Sequence, residues 1–119
     1  MKDIIYISGP ISGKNRSEVA RIFSKAETML SKKGYTVINP VSIPCHTSRW
    51  IRKEKVKRAK MEGEWCYYMR ESLIHLMNSD LVYMLDGWSD SKGASLEHET
   101  ASSLGFRIIY EEKRNGMED

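Results

Sequence analysis

The sequence predicts an α/β fold: a Rossmann-like or flavodoxin-like parallel sheet with helices on both faces. Three observations carry that expectation. Short β-rich apolar segments alternate along the chain with segments whose apolar residues recur at helical spacing. The opening order of strand, helix, strand implies a parallel pair, because only a crossover element brings the second strand back in the same direction. Polar loops containing glycine follow two of the strands, the place where open parallel sheets hold ligands. With 119 residues, 40% hydrophobic and 29% charged, the chain can bury one core, so a single domain over residues 1–119 is expected.

The first strand is DIIYIS at 3–8, bounded by Gly9-Pro10. A helix follows, with apolar positions at Val19, Ile22, Phe23, Ala26, Met29 and Leu30, Asn15 and Glu18 at its start, and Gly34 as its stop. Tyr35 to Ile38 forms a short second strand, closed by Asn39-Pro40, where the proline disfavours helix for the residue before it. Residues 41–63 form an irregular basic insertion, a loop with a mobile helix. A second core helix carries Trp65, Tyr68, Met69, Leu73, Leu76 and Met77 on one face and ends at Asn78-Ser79-Asp80. LVYML is the third strand, followed by the polar loop from Asp86 to Gly93, a helix from about Ala94 to Leu104, and a last strand, RIIY, at 107–110. The tail EEKRNGMED, from Glu111 and at about 112–119, is expected to fray.

Composition narrows the function classes. The apolar start meets Gly9-Pro10 at once, too short for a signal-peptide core or a membrane span, and Cys45 and Cys66 suggest no disulfide framework, so the cytoplasm is the expected location. Residues 49–60 hold seven Lys or Arg against one acid, within a net charge of +3. Such a run is either a solvated helix face or an anion-binding surface, and with no base-stacking motif beside it nucleic-acid binding is not expected. Cys45, His46, Cys66, His75 and His98 follow no zinc spacing, so no metal is expected.

Chemistry concentrates in the two glycine loops. The first runs Ser8-Gly9-Pro10-Ile11-Ser12-Gly13-Lys14-Asn15-Arg16 and leads into a helix, which lets backbone N–H groups approach an anion. It is neither a Walker loop nor the dinucleotide fingerprint, and a plain strand-to-helix turn explains it equally well. The second, Ser91-Lys92-Gly93-Ala94-Ser95-Leu96-Glu97, places a carboxylate on the first helical turn or just beyond. Glu97 either complements the helix dipole, at about 0.3 to 1 kcal/mol, or serves as a nucleophile. It shares a face with Ala94, Ala101 and Leu104, so it leans toward apolar neighbours, and the helix N-terminus is expected to keep it ionised there. Trp88 is a base-stacking wall or a loop anchor, Asp80 a capping or turn residue, and Met29, Met69 and Met77 core.

YISGPISG after the first strand, Asn39-Pro40 after the second, and the segment from Asp80 through Leu85, Gly87-Trp88, Ser91, Gly93-Ala94 and Glu97 to Ala101 together resemble the nucleoside 2-deoxyribosyltransferase-like superfamily, in particular its small phage and bacterial branch. The resemblance spans nearly the whole chain. It implies that Glu97 attacks the anomeric carbon of a (deoxy)nucleoside, that Tyr6 orients it, and that no cofactor takes part. Deoxynucleoside 5'-monophosphate hydrolases of that superfamily are similar in a further respect, which implies phosphate contacts at Gly9, Ile11, Gly13 and Ser91. Ser8, Pro10, Asn39, Asp86, Trp88, Gly93 and Ala94 complete the expected substrate-binding set, and a homodimer or larger homo-oligomer is implied because the family borrows pocket residues from a neighbouring subunit. The chain departs from the pattern at Ser72, where transferases carry an aspartate eight residues before the position matched by Asp80, a position the resemblance puts near the site. The approach to Glu97 is also lengthened, so either Asp86 or Asp90 takes the place of the usual aspartate and the general acid is unassigned. The expected activity is cleavage or transfer at the N-glycosidic bond of a nucleoside or its 5'-monophosphate. A nucleotide-binding protein without turnover is the alternative.

Overall fold

Strand alternation decides which helices each strand faces. In β1 (Ile4–Ser8), Ile5 and Ile7 point to one side of the sheet and Tyr6 to the other; in β3 (Leu81–Met84), Leu81 and Tyr83 divide from Val82 and Met84 in the same way. The first side is covered by Val19, Phe23, Ala26 and Leu30 of α1 (Arg16–Lys32). The second receives Leu76 of α2 (Glu64–Met77) and Ala94 and Ala101 of α3 (Lys92–Ser103). The result is a single α/β domain of the Rossmann/flavodoxin-like class, with helices on both faces of one parallel sheet. The computed structural model describes residues 2–11, 13–42 and 64–112, so the basic insertion expected at 41–63 lies almost wholly outside the described residues, as does the tail beyond 112.

With β2 (Thr36–Ile38) and β4 (Arg107–Tyr110), the sheet order is β2-β1-β3-β4 and every pairing is parallel. The chain leaves β1 toward β2 on one side and later returns to place β3 on the other, so the strand order reverses between β1 and β3. Their carboxyl ends therefore open onto a topological switch point, the crevice where open α/β sheets bind ligands. Register there is held by Ser8 pairing with Met84 and by the Leu85 N–H donating to the Ser8 carbonyl at 2.8 Å.

Local chemistry sets the helix limits. Asn15 caps α1 by accepting the Glu18 N–H at 3.0 Å, but the Glu18 carboxylate bonds to Arg21 at 3.3 Å, so only half of a capping box forms. Gly34 ends α1 at φ 101°, a left-handed conformation that favours glycine. Replacing the cap by Asn15→Ala is expected to cost about 1 kcal/mol, read as a lower urea midpoint with unchanged slope. The Glu18–Arg21 pair is exposed at both ends, and its removal is expected to change the midpoint little.

Several expectations are corrected. Tyr68 and Met77 were placed on the core face of α2, yet they are 60% and 44% exposed, whereas Met69 and Leu76 are buried. The difference is geometric: Tyr68 borders the open cleft instead of the core, and a six-residue apolar stripe is wider than the surface available to cover it. Leu104 caps the end of α3 and is exposed, so the buried face of that helix is Ala94, Glu97 and Ala101. Glu111 does not fray: its N–H donates to the Met84 carbonyl at 2.9 Å and its Oε1 accepts the Asp86 N–H at 2.8 Å. No helix among the described residues is long and apolar enough to cross a membrane.

Candidate active site

The site starts from a strand periodicity of two. Tyr6 and Ser8 lie on the same face of β1, the face turned to α3, and both hydroxyls reach one side chain. The Tyr6 hydroxyl donates to Glu97 Oε2 at 2.7 Å, and the Ser8 hydroxyl donates to Glu97 Oε1 at 2.6 Å. Glu97 is 5% exposed, and Tyr6 and Ser8 are 1% exposed each. A buried carboxylate with each oxygen satisfied by a separate hydroxyl costs far less than one left bare.

Glu97 is the sixth residue of α3, behind the Ser91 cap, and no acid occupies the first turn. The dipole effect fades within that turn, so it is the Ser8 and Tyr6 hydroxyls, rather than the helix N-terminus, that favour the charged form of Glu97 against its burial. Burial is the larger influence and pushes the Glu97 carboxyl up from its ordinary value, while the bonds from Ser8 and then Tyr6 pull it back. Burial likewise drives the Tyr6 hydroxyl far above the usual tyrosine value, reinforced by the neighbouring Glu97 charge, so Tyr6 stays protonated as a donor. The Ser72 hydroxyl bonds to the Tyr6 oxygen and opposes that shift. The residue that departs from the resembled pattern thus stands beside Tyr6.

Above Glu97 opens a cleft of about 690 Å³, within the usual range for small-molecule sites. Of the expected substrate-binding set, Gly9, Pro10, Ile11, Asp86, Ser91, Gly93 and Ala94 border it with Tyr6 and Glu97. Ser8, Gly13, Asn39 and Trp88 do not. Asn39 closes the end of β2, donating to Glu27 at 3.0 Å and accepting the Val41 N–H at 3.0 Å. Trp88 stacks on His98 with ring centroids 4.0 Å apart, and His98 Nε2 hydrogen-bonds the Tyr110 hydroxyl at 2.7 Å. This aromatic group ties the loop after β3 to α3 and β4, the anchoring alternative for Trp88. Asp80 lies at the opposite end of the sheet from the cleft, where its Oδ2 accepts the Ile4 N–H at 2.8 Å, which corrects its expected position near the site.

Gly9 and Gly93 are small for reasons of space. A Cβ on Gly9 would stand 2.7 Å from Leu85 Cδ1, and one on Gly93 would stand 3.1 Å from Met69 Sδ. Ser91 is the α3 cap, its Oγ accepting the Ala94 N–H at 3.2 Å. The sequence reasoning missed the wall that α2 supplies: Trp65, Tyr68, Met69 and Ser72 all border the cleft. Their helical spacing is visible in the sequence, but the same stripe describes a face on a core and a face on a cavity. Lys14 and Lys92 border the cleft as well, Lys92 with its Nζ 4.1 Å from the centre of the Trp65 ring. Among the described residues no three His, Cys, Asp or Glu side chains gather as a metal site.

The fold and these contacts define a parallel α/β domain with a buried glutamate at its switch point, held by two hydroxyls from the first strand. Residues 3–110 match the family described as Domain of unknown function (DUF4406), and the chain belongs to that family. No curated protein matches it in sequence.

Proposed function

We propose that the chain cleaves or exchanges the N-glycosidic bond of a (deoxy)nucleoside or its 5'-monophosphate, with Glu97 as nucleophile. The observation that carries this reading is the fixed, buried carboxylate of Glu97 at the floor of a cleft sized for such a ligand. A Glu97 oxygen lone pair forms a bond to C1' as the C1'–N bond breaks, and the departing base takes its electron pair and a proton from water or a cleft acid. The transition state has oxocarbenium character, as in retaining glycosidases. Water attacking C1' of the ester completes hydrolysis and returns the carboxylate; a second base attacking there completes transfer. Asp86, half-buried with its N–H held by Glu111, and Asp90 on the exposed turn are the acids beyond β3 that border the cleft. Homo-oligomer formation belongs to the same proposal. Incubation with deoxynucleosides and their 5'-monophosphates, with and without a second free base, followed by chromatography of the bases, separates hydrolysis, transfer and neither.

The starts of α1 and α3 both border the cleft, with Lys14 and Lys92 beside them, and this supports recognition of a 5'-phosphate. A hydrogen bond to a charged group is worth about 1.5 to 3 kcal/mol, so a 5'-monophosphate is expected to bind roughly tenfold or more tightly than its nucleoside by calorimetry. Equal affinities would remove the phosphate assignment. The second reading, a protein that holds nucleotides without turnover, draws on Ser72, whose hydroxyl stands at Tyr6 where the resembled transferases carry an acid. Tight binding without base release would point to it; turnover gained in Ser72→Asp would then mark a decayed enzyme, and continued silence a pocket reshaped for holding.

A further inference from the structure

Two hydroxyls on one carboxylate raise the question of what each does. Tyr6 and Glu97 both border the cleft, whereas Ser8 does not, so the Ser8 hydroxyl meets the carboxylate from the side away from the ligand. We propose that Ser8 is a positioning residue for Glu97: its hydroxyl, 2.6 Å from Oε1, anchors that oxygen as the non-attacking one and leaves Oε2, 2.7 Å from the Tyr6 hydroxyl, to face the ligand.

The terminal torsion of a glutamate is broad, so one hydrogen bond leaves the carboxylate plane free to turn. Two bonds to opposite oxygens fix it, and here both donors come from a single strand with a set spacing, so β1 itself determines the plane of the carboxylate. Ser8 also opposes the desolvation of Glu97 more strongly than Tyr6 does. The charged groups sharing the cleft with Glu97 are Lys14 and Glu18 at the start of α1, Asp86 and Asp90 beyond β3, and Lys92 on α3.

The kinetic part of this assignment rests on the glycosidic reading above. When the Oε2 lone pair bonds to C1' and the C1'–N pair leaves with the base, Oε2 becomes an ester oxygen and a poorer acceptor. Oε1 becomes the ester carbonyl oxygen and keeps accepting from Ser8. When water attacks C1', the C1'–Oε2 pair returns to the carboxylate and water's proton passes to solvent, with the Ser8 bond still in place. The Ser8 contact therefore persists through both steps, whereas the Tyr6 contact weakens between them.

The test follows the Glu97 side-chain carboxyl by carbon-13 NMR across a pH series, beside steady-state kinetics, in wild type, Ser8→Ala and Ser8→Thr. Ser8→Ala is expected to move the Glu97 midpoint upward, to move the acidic limb of kcat/KM with it, and to lower kcat roughly tenfold or more with KM nearly unchanged. Ser8→Thr, which keeps the hydroxyl, is expected to restore the midpoint. If Ser8→Ala does not fold, Ser8→Cys keeps the size with a weaker donor and is expected to shift the midpoint in the same direction by less. An unmoved midpoint, or one that Ser8→Thr fails to restore, overturns the assignment. If wild type releases no base, the NMR midpoint still decides the role of Ser8, and only the glycosidic reading falls.

Discussion

Glu97→Gln is expected to abolish base release while leaving the protein folded and able to bind its ligand. The amide keeps the length and shape of the side chain, and the Ser8 and Tyr6 hydroxyls can each turn to donate or accept. It cannot supply an anionic oxygen to C1', so the rate should fall by about 10³-fold or more while affinity changes only a few-fold. Stability should move the other way. Burial raises the native-state pKa of Glu97 above its unfolded value, so the native protein holds that proton more tightly than the unfolded chain does. Below the ordinary glutamate range the group is neutral in both states and costs nothing. As pH rises from there through the raised native value, this group takes stability away, and above it the penalty is constant. Glu97→Gln removes the titration, so thermal melts should show the variant gaining on wild type as pH rises and matching or exceeding it at pH 8. A variant clearly less stable than wild type at pH 8 would mean that the hydroxyls outweigh desolvation. The same carboxyl sets the activity: its ionised form is the nucleophile, so the acidic limb of kcat/KM should lie above the usual glutamate range.

How far this site could be read before the structure depends on what periodicity encodes. Glu97 and Ala94 fall on one face by helical spacing, and burial of that face followed from it. The partner Tyr6 came from resemblance, while Ser8, two residues on along the same strand, was assigned to the ligand and in fact holds the other carboxylate oxygen. Strand alternation could have placed it, because any residue of β1 facing α3 beside Tyr6 must be at an even spacing. The cleft wall on α2 was less legible, since Trp65, Met69 and Ser72 repeat at the spacing that a core-facing stripe also has. Trp88 and Asp80 show the opposite limit: both have side chains suited to a ligand, and His98 and the Ile4 N–H take them instead. Both partners lie on other elements, at spacings that no helix or strand period encodes. The sheet was the most legible part, because each strand alternates or runs apolar between turn residues; β1, β2 and β3 differ from the expected ranges by one terminal residue each, and β4 matches its range.

Gly9→Ala is expected to destabilise the fold by about 1 to 3 kcal/mol, the usual cost of overpacking, which for a domain of this size lowers the melting temperature by roughly 5 to 20 °C. The new Cβ would lie 2.7 Å from Leu85 Cδ1 and 2.9 Å from Leu85 Cβ. The first atom can swing away, but the second is fixed to the backbone, and Leu85 is fully buried with its N–H bonded to the Ser8 carbonyl at 2.8 Å. Relief therefore requires the carboxyl ends of β1 and β3 to separate. That movement would widen the crevice between Gly9-Pro10 and Asp86-Gly87 and disturb the strand end that carries Ser8, so ligand affinity or turnover should fall along with stability. A glycine needed only for its backbone freedom would behave differently: Gly13, at φ 74° with nothing within 4 Å of its added Cβ, should cost about 1 to 2 kcal/mol on conversion to alanine whatever its neighbours are. A double-mutant cycle separates the two causes. Leu85→Ala alone should cost about 2 to 5 kcal/mol through the cavity it leaves, but in the Gly9→Ala background it also removes the clash, so the combined loss should be smaller than the sum of the single losses. Urea denaturation of the four proteins measures this directly, and strictly additive losses would show that the glycine at the switch point is not there to let β1 and β3 approach.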